Sequence, residues 1–406
     1  MTGSRKHTIA GILPTEWDAK LIKSCCDVVR GASPRPAGDP RYFDGDYLPW
    51  ITVADVTGKP GMYLEGTRTR LTKEGANFTR HIPPETLIIT NSGATLGVPK
   101  ITQDLAGAND GIAVFLNLKG VSKECLFYIL ESKTDYFRNE LAPGVGQPNL
   151  NTELLGAVAI PIPPVGEQER IVGALSTWDT AIQKTEQLIA ARGRHYSHEL
   201  SRLINRGQHS HAHVGSFSEE VSARNRGGNE ARVLSVTNSR GFVLPEDQFE
   251  RRVASADLSN YKVVRLGQYA YNPSRINVGS IARLDGWDDG VLSPMYVVFR
   301  LDETKVDSDY FLHWLNSHEA RQRIKNSAQG SVRETVSFSE FAAMTMPLPD
   351  TNTQTAIARY LNALRQEIDL LGQSVAALKT QKRGLMQKLL TGQWRLNHEK
   401  TREFSA

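Results

Sequence analysis

Pro161–Leu175 reads PIPPVGEQERIVGAL, and Pro347–Leu361 reads PLPDTNTQTAIARYL. An offset of 186 superposes them, matching Pro161 with Pro347, Pro163 with Pro349, Gln168 with Gln354, Ile171 with Ile357 and Leu175 with Leu361. The register holds for about four further helical turns. In the second copy Ile357, Leu361, Leu364, Ile368, Leu371, Val375, Leu378, Leu385 and Leu389 fall on alternating steps of four and three, interrupted by Lys382. That spacing is the a/d seam of a heptad repeat. The first copy keeps the phase with a rougher seam: Ile171, Leu175, Trp178, Ile182, Ile189, Tyr196 and Leu203.

The flanks agree with two long helices. Proline runs stop the preceding segment and fix an extended approach, and the glycines of NRG and TGQ stand just past each end. A helix of about 40 residues spans roughly 60 Å, and an apolar stripe of that length needs a partner along its course. Matching phase makes each stripe the natural partner of the other. The segment between them must leave where the first helix ends and return where the second begins, which predicts an antiparallel pair.

The repeat extends beyond the helices. LIITNSGATLGVPKI (Leu87–Ile101) lies against YAYNPSRINVGSIAR (Tyr269–Arg283) at an offset of 182, and LFYILES against FLHWLNS at 185. Loop insertions and deletions produce such drift. Short β-rich runs such as TLIIT, IAVFLNL, YKVVRL and MYVVFRL alternate with Gly, Pro, Asn and Asp turns. The predicted class is α+β: two mixed α/β globular domains alternating with two long helices paired as an antiparallel coiled coil, a pseudo-two-fold tandem duplication. Its boundaries are 1–160 for the first globular domain, 161–206 for the first helix, 207–346 for the second globular domain, and 347–406 for the second helix and tail.

The chain has 406 residues and a formal net charge of +4. Charge is balanced in both globular segments, and residues 351–406 carry the surplus, with 9 Lys and Arg against 4 Asp and Glu. Any binding of nucleic acid must therefore rest on local clusters rather than a global basic field. Cys25, Cys26 and Cys125 form no CxxC and suit reduced thiols. The absence of a long apolar run or a leader-like start predicts a cytoplasmic protein.

Motifs with catalytic potential fall short. NPSR (Asn272–Arg275) begins like the Asn-Pro-Pro-aromatic motif of adenine methyltransferases, but its third and fourth positions differ and no glycine-rich cofactor loop precedes it. GATLGVPK lacks the spacing of a phosphate-cradling P-loop. His209, His211 and His213 alternate as ligands on a strand would, yet they directly follow a helix stop, and a flexible linker is the expectation. No catalytic residue and no metal site are expected.

In its order of parts the chain resembles the specificity (S) subunit of type I restriction-modification systems. The resemblance rests on IPIPPVGEQERIVGAL with its helix, LKTQKRGLMQKLLTGQWR, YNPSRINVGSI with SPMYVVFRL, and GVGQPNLN. One departure is Thr353, which stands before Gln354 where the family has an acidic residue, as Glu167 stands before Gln168. The resemblance implies that 1–160 and 207–346 are target-recognition domains, each gripping half of a split, asymmetric site in double-stranded DNA, with the helices as a ruler. It implies two modification (M) subunits that methylate adenine with S-adenosylmethionine, and up to two restriction (R) subunits that use ATP and Mg. Those cofactors belong to the partners, and none is expected on this chain.

Reading base edges requires Arg, Lys, Asn, Gln, Ser or Thr on loops that reach a groove. Candidates in the first domain are Arg68, Arg70, Lys73, Asn91, Ser92, Thr95, Lys100, Gln147 and Asn149. In the second they are Arg224, Arg226, Asn238, Arg240, Tyr271, Asn272, Ser274, Arg275, Asn277 and Arg333. Lys379, Lys382, Arg383 and Lys388 form a basic stretch on the second helix, where the Lys382 stem is expected to snorkel out of the seam. Glu167 and Gln168 read as helix-start and partner-contact residues. The competing functions are a self-contained adenine DNA methyltransferase with diverged motifs and a non-catalytic coiled-coil scaffold.

Overall fold

The computed structural model describes residues 4–142, 149–228, 230–247, 257–329 and 335–396. The chain divides into two compact units, 1–186 with 373–406, and 187–372. Each unit therefore joins one globular part to a portion of both long helices, and the division falls within the helices rather than at their ends.

Unit 1 is built around an antiparallel sheet in the order Asp27–Arg30, Ile112–Leu116, Leu87–Thr90, Pro99–Ile101. Its central strands alternate as a pleat buried on both faces must. Leu87, Ile89, Ala113 and Phe115 pack against the helix Lys123–Ser132, while Ile88, Ile112 and Val114 face a second sheet made by Leu48–Ile51, Thr69–Leu71, Arg80–Ile82 and Ala106–Ala108. Unit 2 repeats the first of these sheets in the same order, Ser218–Glu220, Val297–Leu301, Tyr269–Tyr271, Ile281–Arg283. Tyr269, Tyr271 and Phe299 point to one core, and Ala270 and Val298 to the other.

The first long helix runs Val165–Leu200 and continues as a wider π turn over Ser201–Asn205; the second runs Thr351–Leu390. Gly392, at φ +62°, ends the second as the sequence predicts. The seam residues Ile171, Leu175, Ile182, Ile357, Leu361 and Val375 are buried, and Trp178, Ile189, Leu364, Ile368, Leu371 and Leu378 are half-buried. In unit 1, Ile171 and Leu175 share a core with Met386, Leu389 and Leu390. In unit 2, Ile357 and Leu361 share one with Leu200 and Ile204. Inside unit 1 the helices run in opposite directions, since Arg170 reaches Leu396, Asp179 reaches Lys382 and Glu186 reaches Lys379.

The proline runs enter as strands. Ala159–Ile162 pairs antiparallel with Asp18–Leu21, and Thr345–Pro347 pairs with His211–His213. The histidine run is thus no flexible linker, which corrects the sequence reading. His209 Nε2 lies 2.9 Å from the Leu203 carbonyl and His213 Nδ1 2.9 Å from that of Ala343, so these rings hold backbone in place. The C-terminal helical stretch of unit 2 also divides, into Ser308–Leu315 and His318–Gln329, where the Ser317 hydroxyl accepts the Ala320 amide and starts a new helix.

Candidate nucleic-acid interface

Gln168 and Gln354 do identical work. The Gln168 carbonyl accepts the Ser122 amide at 2.8 Å, and its amide group donates to the Gly120 and Pro163 carbonyls at 3.0 and 2.8 Å. The Gln354 carbonyl accepts the Asp307 amide at 2.8 Å, and its amide group donates to Lys305 and Pro349 at 3.2 and 2.7 Å. Ser122 and Asp307 are the N-caps of Lys123–Ser132 and Ser308–Leu315. Each buried glutamine therefore latches the start of a long helix to the start of the short helix behind the central sheet. The expectation of a partner contact at Gln168 is corrected: all of its bonds are internal. Glu167 is likewise buried, accepting from Trp17 at 2.9 Å and from Arg395 at 2.5 and 2.8 Å.

This frame holds the loops that carry the polar candidates. In unit 1 the TNSG loop meets the segment that precedes the first proline run: Ser92 bridges Asn149, and the Leu150 amide donates to the Asn91 carbonyl at 2.7 Å. Two motifs that are distant in sequence thus form one surface. Asn149 and Thr95 are exposed and Ser92 is half-exposed, whereas the Asn91 side chain is buried with its Oδ1 unpartnered among the described residues. Arg68, Arg70 and Lys73 are exposed on and beside the edge strand Thr69–Leu71, where Arg70 Nε donates to the Asp46 carbonyl at 2.9 Å and Arg68 Nε lies 3.9 Å from Asp55. Lys100 is a correction. It is 2 % exposed, and its ammonium is spent on the Lys59 and Gly61 carbonyls, so it holds a loop and cannot reach a groove. Burial accordingly pulls its pKa below the ordinary lysine value.

In unit 2 the hairpin Ser235–Thr237 to Gly241–Val243 carries Asn238 and Arg240 at its exposed tip. The Ser280 hydroxyl donates to the Val236 carbonyl at 2.8 Å, which brings that tip beside the loop of Ser274, Arg275 and Asn277. Ser274 and Arg275 are exposed, and Asn277 is half-buried with Oδ1 unpartnered among the described residues. Arg224 and Arg226 lie on another exposed segment, the former donating to the Asn260 carbonyl at 2.6 Å. Two candidates are corrected. Tyr271 is fully buried against Phe299 and Phe341, and burial drives its phenol pKa far upward. Asn272 Oδ1 accepts the Ser274 amide at 3.0 Å, which is turn chemistry. Gln147 and Arg333 lie outside the described residues.

The basic stretch of the second helix is differently employed. Lys379 pairs with Glu186 at 2.7 Å, and Lys388 sits 4.1 Å above the Trp394 ring, while Arg383 is exposed. Lys382 does not snorkel. It turns inward, 2.7 Å from Asp179 and 2.9 Å from Glu131, and lies over the Tyr128 ring, whose hydroxyl donates to Asp179 at 2.7 Å. Among the described residues, no group of acidic, histidine or cysteine side chains is arranged to hold a metal ion, and no helix is long and apolar enough to cross a membrane.

These features define a class: an internally duplicated α+β protein presenting polar loops from a frame of sheets and long helices. Residues 14–191 match the model of the type I restriction modification DNA specificity domain. The MjaIX specificity subunit of a type I restriction enzyme from Methanocaldococcus jannaschii is 30% identical over 184 residues, a match covering 45% of this chain and 42% of that relative. The MjaVIII specificity subunit of the same organism is 21% identical over 95% of both chains. Among solved structures, the S subunit of a type I system from M. genitalium has a TM-score of 0.55 at 16% identity, covering 92% of this chain and 96% of that one. A chain from a structure of the type I system, described for its complex assembly and conformational transition, has a TM-score of 0.58 at 15% identity, covering 94% and 99%. Residues 14–191 thus match the DNA specificity domain of type I systems, and along its length the chain is similar to their specificity subunits.

Proposed function

We propose that this chain reads DNA sequence for a type I restriction-modification complex and carries no chemistry of its own. Each globular part reads one half of a bipartite, asymmetric site in double-stranded DNA. The long helices, paired as an antiparallel coiled coil, set the spacer between the halves and dock two modification subunits and up to two restriction subunits. S-adenosylmethionine serves adenine methylation on the modification subunits, and ATP with Mg serves cleavage on the restriction subunits, in the cytoplasm.

The observation that carries this reading is the conserved frame with divergent loops. Both units share sheet order and glutamine latch, while the loops over that frame differ: Ser92 with Asn149 in unit 1, and Asn238, Arg240 and Arg275 in unit 2. Different donors and acceptors on one frame suit two unlike half-sites. A methyltransferase reading is disfavoured by Asn272, whose side-chain carbonyl is committed to a turn.

Sequencing methylated adenines in DNA modified by the assembled complex tests the proposal, with two unlike half-sites at one fixed gap as the expected result. Adding one heptad to each long helix lengthens it by about 10.5 Å, which should widen that gap by about three base pairs at roughly 3.4 Å each. An unchanged gap removes the ruler, and saturable binding of S-adenosylmethionine to this chain alone contradicts the non-catalytic assignment.

A further inference from the structure

The repeat relation exposes a charge imbalance inside unit 2. In unit 1 the first long helix offers Asp179, and the helix Lys123–Ser132 offers Glu131; Lys382 of the second long helix pairs with both. The repeat places Arg365 at the position of Asp179, Asn316 at that of Glu131 and Tyr196 at that of Lys382. Two acids have become a cation and an amide, and the cation between them has become a phenol.

What results is a cleft of about 450 Å³, lined by Arg365, Arg321, Arg283 and Arg240 with Asn238 and Trp287. Asp285 also lines it, but that carboxylate is engaged by Arg283 at 2.6 Å, and Arg283 is further pinned to Asp309 at 2.7 Å. Arg321 and Arg365 have no carboxylate partner among the described residues; the former makes one long contact, 3.5 Å, to Asn316 Oδ1. Both side chains line the same cleft. Two such cations on one polar cleft carry charge that no carboxylate pairs with among the described residues. A planar guanidinium presents paired N–H donors that match the oxygens of a tetrahedral oxyanion.

We propose that this cleft is a phosphate-binding site, with Arg321 and Arg365 as its ligands and the tip of the Asn238–Arg240 hairpin as its rim. The phosphate is a phosphodiester of the DNA backbone, an assignment that rests on the DNA-reading function proposed above; a free nucleotide offers the same chemistry. Trp287, half-buried at the edge, gives a flanking base a ring face on which to stack. In unit 1 Lys382 fills the equivalent place from within. The contact therefore fixes the chain asymmetrically on its ligand, through unit 2.

The test begins with the full chain titrated with inorganic phosphate in a calorimeter at low salt. Saturable binding is expected, lowered at least tenfold in Arg321→Ala/Arg365→Ala and abolished by Arg365→Asp. Arg359→Ala, on the same helix outside the cleft, should change nothing. Both arginines are exposed, so the variants should melt as the parent does. A second arm measures DNA binding by the complex with modification subunits against salt concentration. Loss of phosphate binding together with a slope of log K against log salt reduced by about one per lost contact identifies the DNA backbone. An unchanged slope with equally weakened binding of adenosine monophosphate identifies a free nucleotide as the source. Absence of phosphate binding by the parent, or equal binding by the double variant, overturns the site. Loss of sequence preference in the parent complex would instead sink the DNA-reading function and leave the phosphate titration standing.

Discussion

Lys382 and Tyr196 occupy the same position of the repeat, and the groups around them differ in kind. In unit 1 an ammonium lies among two carboxylates and a phenol. In unit 2 the Tyr196 hydroxyl lies 2.8 Å from His313 Nδ1, His313 Nε2 lies 2.8 Å from Asn362 Oδ1, and Asn362 donates to Asp309 at 2.8 Å. One junction between long helix and globular part is held by buried charge, the other by a chain of hydrogen bonds ending on a carboxylate. The two Gln latches are the opposite case, identical to within a few tenths of an ångström. Duplication preserved the contacts made to backbone and let those made between side chains diverge.

The latch should give the largest effect. Replacing Gln168 or Gln354 by leucine strips partners from one buried amide and two carbonyls, and should cost about 3 to 5 kcal/mol in either unit, since each orphaned group loses its hydration without recompense. Denaturant unfolding of the two variants should give matching losses; a large effect in only one unit would break the equivalence of the copies.

Removing Lys382 comes next. Lys382→Met leaves Asp179 and Glu131 facing each other, and should cost about 3 kcal/mol because one half of a buried pair is left uncompensated. Adding Asp179→Asn and Glu131→Gln should recover most of that loss in thermal melting, and no recovery would show that packing rather than charge governs the junction.

The two junctions should also fail on opposite sides of neutrality. Burial opposes the Lys382 charge, but Glu131 and Asp179 outweigh it and raise its pKa above the ordinary value near 10.5. Its stabilisation is complete below that value and disappears as pH rises through the folded pKa. His313 is lowered by burial first, with Arg365 and Arg283 adding to the effect against Asn362 and Asp309. The unfolded ring therefore takes up a proton near pH 6.5 while the folded ring does not, so unit 2 loses stability as pH falls through that value and keeps it above. Melting from pH 7.5 to 5.5 should show the drop, and His313→Gln should flatten it; a profile unchanged by that substitution rules His313 out as its source.

The smallest effect belongs to the position before the latch. Glu167→Gln weakens the ion pair with Arg395 and should free the segment Thr391–Leu396 for protease attack earlier than in the parent. Thr353→Glu, which writes the same acid into the second copy, should change stability by no more than about 0.5 kcal/mol, as exposed substitutions usually do. The Thr353 hydroxyl donates to the Asp350 carboxylate, and the repeat sets His209 where the first junction has Arg395.

What the sequence disclosed follows from how each feature is encoded. The helices were legible because one stripe of Ile and Leu repeats over 40 residues in Thr351–Leu390, and the central strands because Leu87–Thr90 and Tyr269–Tyr271 align at a fixed offset. The pairing of His211–His213 with Thr345–Pro347 was not, since a three-residue strand has no period to detect. Among candidate contacts, Arg68, Arg224 and Arg275 are exposed, as charged residues on a surface are expected to be. Lys100 and Tyr271 did not, because burial depends on which carbonyls or rings the fold brings near, not on the residue itself. The acids around Lys382 and the cations around Arg365 were within reach: aligning the copies residue by residue sets Asp179 against Arg365.

The glutamine latches grip main-chain atoms alone: one amide and two carbonyls in each copy. A main-chain contact is blind to the identity of the side chains that surround it. Any globular part whose backbone offers the same turn before a capped helix could be spliced onto the helix without renegotiating the joint. Whole globular parts are then exchangeable as cassettes, each arriving with its own loops and seating on the same joint.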